Sequence, residues 1–146
     1  MCIDSDRRGK MILNDTEIWS LSKLGFVLYM REHHEEAAAI FRGLLHLQPR
    51  LPYSWYVLGL IRRDQGDAGE AAQALKHALS CDAEFWAARV VLAELFYQNG
   101  RPGEALTILK PILGARRTQD ATRDAAIRRG RALWKCWQRG GRLRAK

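Results

Sequence analysis

Residues 52–83 read PYSWYVLGLIRRDQGDAGEAAQALKHALSCDA, and this stretch decides the fold. Trp55, Leu58 and Gly59 come first, at W-x2-L-G spacing, in a segment that opens on Pro52. Proline suits the first turn of a helix, where its missing N–H leaves no bond unmade. Gly66-Asp67 breaks the pattern. Asp67 and Glu70 then have capping-box spacing, and Ala71, Leu75 and Ala78 share one face of the helix that follows. The stretch therefore reads as two short amphipathic helices joined by a tight turn.

The same arrangement recurs 34 residues away in both directions. Gly25, Gly59 and Ala93 keep that step, as do Leu24, Leu58 and Leu92. So do Ala37, Ala71 and Ala105, and likewise Phe41, Leu75 and Leu109. Small residues at these steps let the first helix of each pair cross the second closely. A larger side chain would force them apart, at a cost of about 1–3 kcal/mol. One such pair cannot bury its apolar face alone, so three must stack into a shared core and carry a cap.

The W-x2-L-G run with alanine and a large apolar residue downstream, and with Pro49 ending the first unit where Ala83 ends the second, resembles the tetratricopeptide repeat (TPR). Arg62 and Leu28 depart from it where the family has tyrosine, and Arg89 stands where Trp55 does. The resemblance implies an all-α fold, an α-α superhelix of three helix pairs over about 18–51, 52–85 and 86–115. An N-terminal arm over 1–15, a basic capping helix over 116–138 and a disordered tail over 139–146 complete the organisation.

Local signals set the expected boundaries. Asn14 and Glu17 form a capping box before a helix over about Thr16–Arg31. The next runs from about Glu35 to Leu47, ended by Gln48-Pro49. Helices follow over Pro52–Gln65, from Asp67 to about Ser80, and over Ala83–Gln98 capped by Asp82. Asn99-Gly100 marks a C-terminus. Pro102 starts another helix, which Pro111 kinks or which ends early at Gly114. Thr118 or Asp120 opens the last one, with Ala126, Ile127, Gly130, Leu133, Trp134 and Trp137 on its inward face.

Composition narrows the function. The chain has 146 residues, 47% hydrophobic and 27% charged, which suits one globular domain. No apolar run is long enough to span a membrane. The polar start MCIDSDRRGK has no signal-peptide core, so the cytoplasm is the expected compartment. Cys2, Cys81 and Cys136 read as reduced thiols. His33, His34, His46 and His77 include no metal-binding pair, and no phosphate-binding glycine motif is present. Neither an enzyme nor a cofactor or metal site is expected. Residues 1–113 hold 13 Lys+Arg and 14 Asp+Glu, whereas residues 114–146 hold 11 and 2. The repeats are nearly neutral, and the excess sits on the last segment.

In TPR proteins the first helix of each pair lines a concave groove. Carried over, the resemblance places Trp19, Ser22, Phe26, Tyr29 and Met30 there from the first pair. Tyr53, Tyr56, Leu60 and Arg63 come from the second, and Ala87, Val90, Glu94 and Tyr97 from the third. This aromatic-rich set suits an extended peptide with apolar anchors. Ser22, Phe26, Tyr56 and Leu60 stand where carboxylate-clamping members of the family carry Lys, Asn and Arg, so such a clamp is not expected.

The runs LSKLGFVLYMREHHEEAAAIFRGLLHLQP, LGLIRRDQGDAGEAAQALKHAL and AARVVLAELFYQNGRPGEALTIL are similar to the three repeats of type III secretion chaperones, particularly those for translocators. The resemblance spans about residues 17–113. It implies a cytoplasmic chaperone that holds an apolar segment of an exported protein before secretion, and self-association is known among its members. The basic C-terminal patch, Arg123, Arg128, Arg129, Arg131 and Lys135, departs from that family. It reads as a solvated cap, a surface for an acidic partner, or a nucleic-acid or membrane contact. The competing reading is a structural subunit docking through its outer faces or this helix; nucleic-acid binding ranks below both.

Overall fold

The computed structural model describes residues 12–144, which form seven helices and no strand. These are α1 (Asp15–Met30), α2 (His34–Leu47), α3 (Pro52–Asp64), α4 (Ala68–Cys81), α5 (Trp86–Gln98), α6 (Pro102–Leu113) and α7 (Ala121–Arg144). Helices α1 and α2, α3 and α4, and α5 and α6 form three hairpins. These stack through α2 on α3 and α4 on α5, and α7 closes the end against α5 and α6.

Side-chain caps open α1 and α4. The Asn14 carboxamide oxygen accepts the Glu17 N–H at 2.9 Å, and the Asn14 N–H donates to Glu17 Oε2 at 2.8 Å. In α4 the Asp67 carboxylate accepts the Glu70 N–H at 3.0 Å, but the Asp67 N–H goes to the Arg62 carbonyl instead. Helix α6 ends at Leu113, the early stop of the two alternatives.

The hairpin turns repeat with the helices. His33, Asp67 and Arg101 donate to the carbonyls of Leu28, Arg62 and Phe96 at 3.0, 2.9 and 2.9 Å. Each closes a Schellman-type turn whose preceding residue is left-handed. Those residues are Glu32 (φ 64°), Gly66 (φ 82°) and Gly100 (φ 74°). Glycine meets this conformation freely, while Glu32 meets it with a Cβ crowding its own carbonyl. Glu32→Gly is expected to raise stability by about 1 kcal/mol and the melting temperature by a few degrees. A calorimetric scan showing no rise contradicts this reading of the turn.

Close crossing is visible in the core. A Cβ built on Gly25 meets Phe41 Cε2 at 2.8 Å, and one on Gly59 meets Leu75 Cγ at 2.8 Å. Phe41, Leu75 and Leu109 are completely buried, each at the same place in its hairpin. The capping helix repeats the device, since a Cβ on Gly130 meets Ile112 Cγ2 at 2.8 Å. Ile127 is fully buried beside it, so α7 completes the core.

Two expectations are corrected. Helix α5 starts at Trp86, not Ala83, because the Asp82 side chain accepts the Glu84 N–H at 2.9 Å and its carbonyl takes the Phe85 N–H at 3.1 Å. That local turn competes with the helix. The tail expected to be disordered from 139 is helical to Arg144. Gly140-Gly141 costs about 1 kcal/mol per residue, which does not end a helix already seated on the domain. Residues 145–146, and 1–11 of the expected arm, lie outside the described residues.

Candidate functional site

Helices α1 and α3 present a run of rings on their shared side. Phe26 lies 5.9 Å from Tyr29 and 6.5 Å from Tyr53, centroid to centroid. Tyr53 lies 6.3 Å from Tyr56, and Tyr56 meets Phe85 edge-on at 5.1 Å. Rings at these distances favour tilted and edge-to-face contacts, which hold the row in register. Tyr53 also rests on Phe41 at 6.1 Å, so core packing fixes the row from below. At the α1 end the row opens on a cleft of about 640 Å³ lined by Ile18, Trp19, Ser22, Leu51 and Tyr53. Trp19 and Met30 are about two-thirds exposed. Lys23 sits over the Trp19 ring at 5.0 Å and leaves its edge open.

One hydroxyl in this row is tied down. Tyr29 donates to Asp64 Oδ2 at 2.7 Å, and Asp64 Oδ1 accepts from Arg63 Nε at 2.9 Å. Burial, then the hydrogen bond to Asp64 and its charge, push the Tyr29 pKa up to about 12. Burial also raises Tyr53 and Tyr56. A raised tyrosine pKa favours the protonated folded state. This stability is fully present below the unfolded value near 10 and is lost as pH rises toward 12. Urea midpoints are therefore expected to fall above about pH 10, and to fall less in Tyr29→Phe. An equal slope in the variant rules Tyr29 out as a source.

At the other end α7 lies over the third hairpin. Tyr97 stacks on Trp137 at 4.2 Å with planes 6° apart, and Arg129 grips Glu94 through both of its carboxylate oxygens at 2.8 Å. The Val90 side chain is buried beneath Gly130.

Two sequence profiles described as "Tetratricopeptide repeat" match residues 23–85 and 62–129. Residues 23–129 are tetratricopeptide repeats. The whole TPR fold is similar to the type III secretion translocator chaperone SycD of Yersinia enterocolitica. That match has a TM-score of 0.71 and 18% identity over 88% of this chain and 89% of that one. It is also similar to SycD in complex with a peptide of the translocator YopD, with TM-score 0.72 and 20% identity over 88% and 97% of the two chains. PcrH in complex with the chaperone binding region of PopD matches with TM-score 0.70 and 20% identity over 85% and 92%. No curated protein sequence is matched at a significant level.

Within the TPR superhelix, the residues expected in the groove divide in two. Trp19, Ser22, Phe26, Tyr29, Met30, Tyr53 and Tyr56 stay accessible, in whole or in part, on the first two repeats. Arg63 is half-buried and bound to Asp64. Leu60 and Val90 are core residues, 7% and 1% exposed. Glu94 and Tyr97 are covered by α7. These four are therefore not open to a ligand: Leu60 and Val90 lie in the core, and Glu94 and Tyr97 meet α7, which packs on both α5 and α6. Phe85 was missed, and its signal was the same 34-residue step from Leu51, a half-buried residue at the head of α3.

The basic residues are also divided. Arg123 lies over Trp86 at 4.7 Å and 3.6 Å from Glu84, while Arg128 pairs with Asp124 at 3.5 Å. Arg129 holds Glu94, and Arg131 donates to the Ala115 carbonyl. Lys135 is exposed. No helix among the described residues is long and apolar enough to cross a membrane, and no cluster of His, Cys, Asp and Glu there is placed to hold a metal ion.

Proposed function

We infer that this protein is a non-catalytic TPR chaperone that holds an extended apolar segment of a protein partner on its inner face. The partner class is an exported protein, such as a translocator of a type III secretion system, held in the cytoplasm before export. One observation carries this reading: the row Phe26, Tyr29, Tyr53, Tyr56 and Phe85, opening on an apolar cleft beside an exposed Trp19. A lone exposed ring needs no explanation, but a continuous apolar patch marks a binding surface. Rigid rings with few rotamers lose little entropy when a peptide settles on them. The likeness to SycD bound to a YopD peptide and to PcrH bound to a PopD region supports the reading.

The test is an array of overlapping synthetic peptides covering the exported proteins encoded beside this gene. Binding is expected from segments that present several apolar side chains on an extended backbone, accompanied by a change in Trp19 fluorescence that Trp19→Phe abolishes. Retention of polar segments alone, or of none, overturns the proposal.

A further inference from the structure

The groove leaves the outward face of α7 without a role. Four arginines, Arg117, Arg123, Arg128 and Arg129, share the three carboxylates of Asp124, Glu84 and Glu94. Lys135 and Arg139 have no carboxylate partner among the described residues. No Asp or Glu follows Asp124 in the sequence. The seated face of α7 holds Ile127, Gly130 and Trp137, and helical periodicity puts Arg128, Lys135 and Arg139 on the opposite face. At the axial rise of an α-helix the steps between these three are about 10 Å and 6 Å. The sequence continues the same spacing with Arg142 and Lys146.

Shape selects the kind of anion. A membrane-surface helix needs an apolar outward face, and here that face offers only Ala125 and Ala132 between the charges, with Trp137 turned into the domain. Nucleic acid favours a broad basic field, whereas Arg128, Lys135 and Arg139 form a single line along α7. Asp82, Glu84 and Asp120 also stand around Arg123 at its N-terminal end, where a wide polyanion would be repelled. The cationic surface is thus one helix wide. We propose that this ridge docks an acidic helical segment of a protein partner, with carboxylates at three- and four-residue spacing laid against Arg128, Lys135 and Arg139. Arginine forks favour carboxylates held in such fixed geometry.

The probe is a fluorescein-labelled, alanine-rich peptide of three heptads with glutamate at that spacing. It is titrated into the full chain at about 0.15 M salt, where long-range attraction is screened. The comparison variant is Arg128→Gln/Lys135→Gln/Arg139→Gln, whose exposed sites leave the helical signal intact. The expected result is binding weakened about tenfold in the variant, since three exposed pairs together are worth about one decade. The glutamine version of the peptide is expected to bind at least about tenfold more weakly. Trp19→Ala/Tyr53→Ala is expected to bind the acidic peptide as the parent does, so failure of the groove and failure of the ridge are told apart. Equal affinity for the triple variant overturns the proposal. So does tighter binding of a duplex DNA of equal length at the same salt.

Discussion

Gly59→Val is expected to destabilise the fold by about 3 kcal/mol, seen as a lower urea midpoint. The new Cβ would stand 2.8 Å from Leu75 Cγ, 3.0 Å from Leu75 Cδ2 and 3.4 Å from the Ala71 carbonyl oxygen. Leu75 is fully buried and cannot swing away, and the Ala71 carbonyl is backbone. The two helices must part, and α3 carries both the crossing and the ring row. Gly43→Val is the control. That glycine is also helical, but a Cβ there meets nothing within 4 Å. Valine has a slightly better helix propensity than glycine, so Gly43→Val is expected to be neutral or mildly stabilising. Equal loss at both sites would show that the 34-residue step reflects something other than close helix crossing.

The second large effect concerns binding. Trp19→Ala/Phe26→Ala/Tyr53→Ala is expected to lower affinity for an apolar partner peptide by at least about a hundredfold, because buried aromatic anchors are each worth about 2 kcal/mol or more. Helicity should survive, since Trp19 is 63% exposed and Tyr53 is 39% exposed. Tyr97→Ala is expected to behave in the opposite way. It removes the ring beneath Trp137, so it should loosen α7 and lower stability while leaving peptide affinity close to that of the parent. Reversal of these two phenotypes in calorimetric titrations would move the site to the third repeat.

The contrast between Tyr53 and Tyr97 shows how far the sequence carries. Three copies of one contact, Gly25 on Phe41, Gly59 on Leu75 and their counterparts Ala93 and Leu109, make the helix pairs legible, because each copy tests the others. The same register brings Phe26, Tyr29, Tyr53 and Tyr56 together in one row. Past Gly114 the register stops, and no copy indicates where α7 lies. Its inward face was readable from Ile127, Gly130 and Trp137, but not that it would cover Val90, Glu94 and Tyr97. The bidentate contact between Arg129 and Glu94 joins residues 35 apart through space, a pairing that no local pattern announces. The start of α5 was misread for a different reason. Asp82 has the composition of a helix cap, and its side chain closes a short turn one step earlier. Phe85 therefore joins the ring row in place of extending the helix.

Photo-crosslinking tests the inner-face site most directly. A benzophenone amino acid is placed at Tyr53 on the inner side of α3, or at Gln73 on an exposed turn of α4, in cells that also make the exported partner. The account predicts a covalent adduct with the partner from position 53 and none from position 73. Adducts from position 73 alone would contradict it.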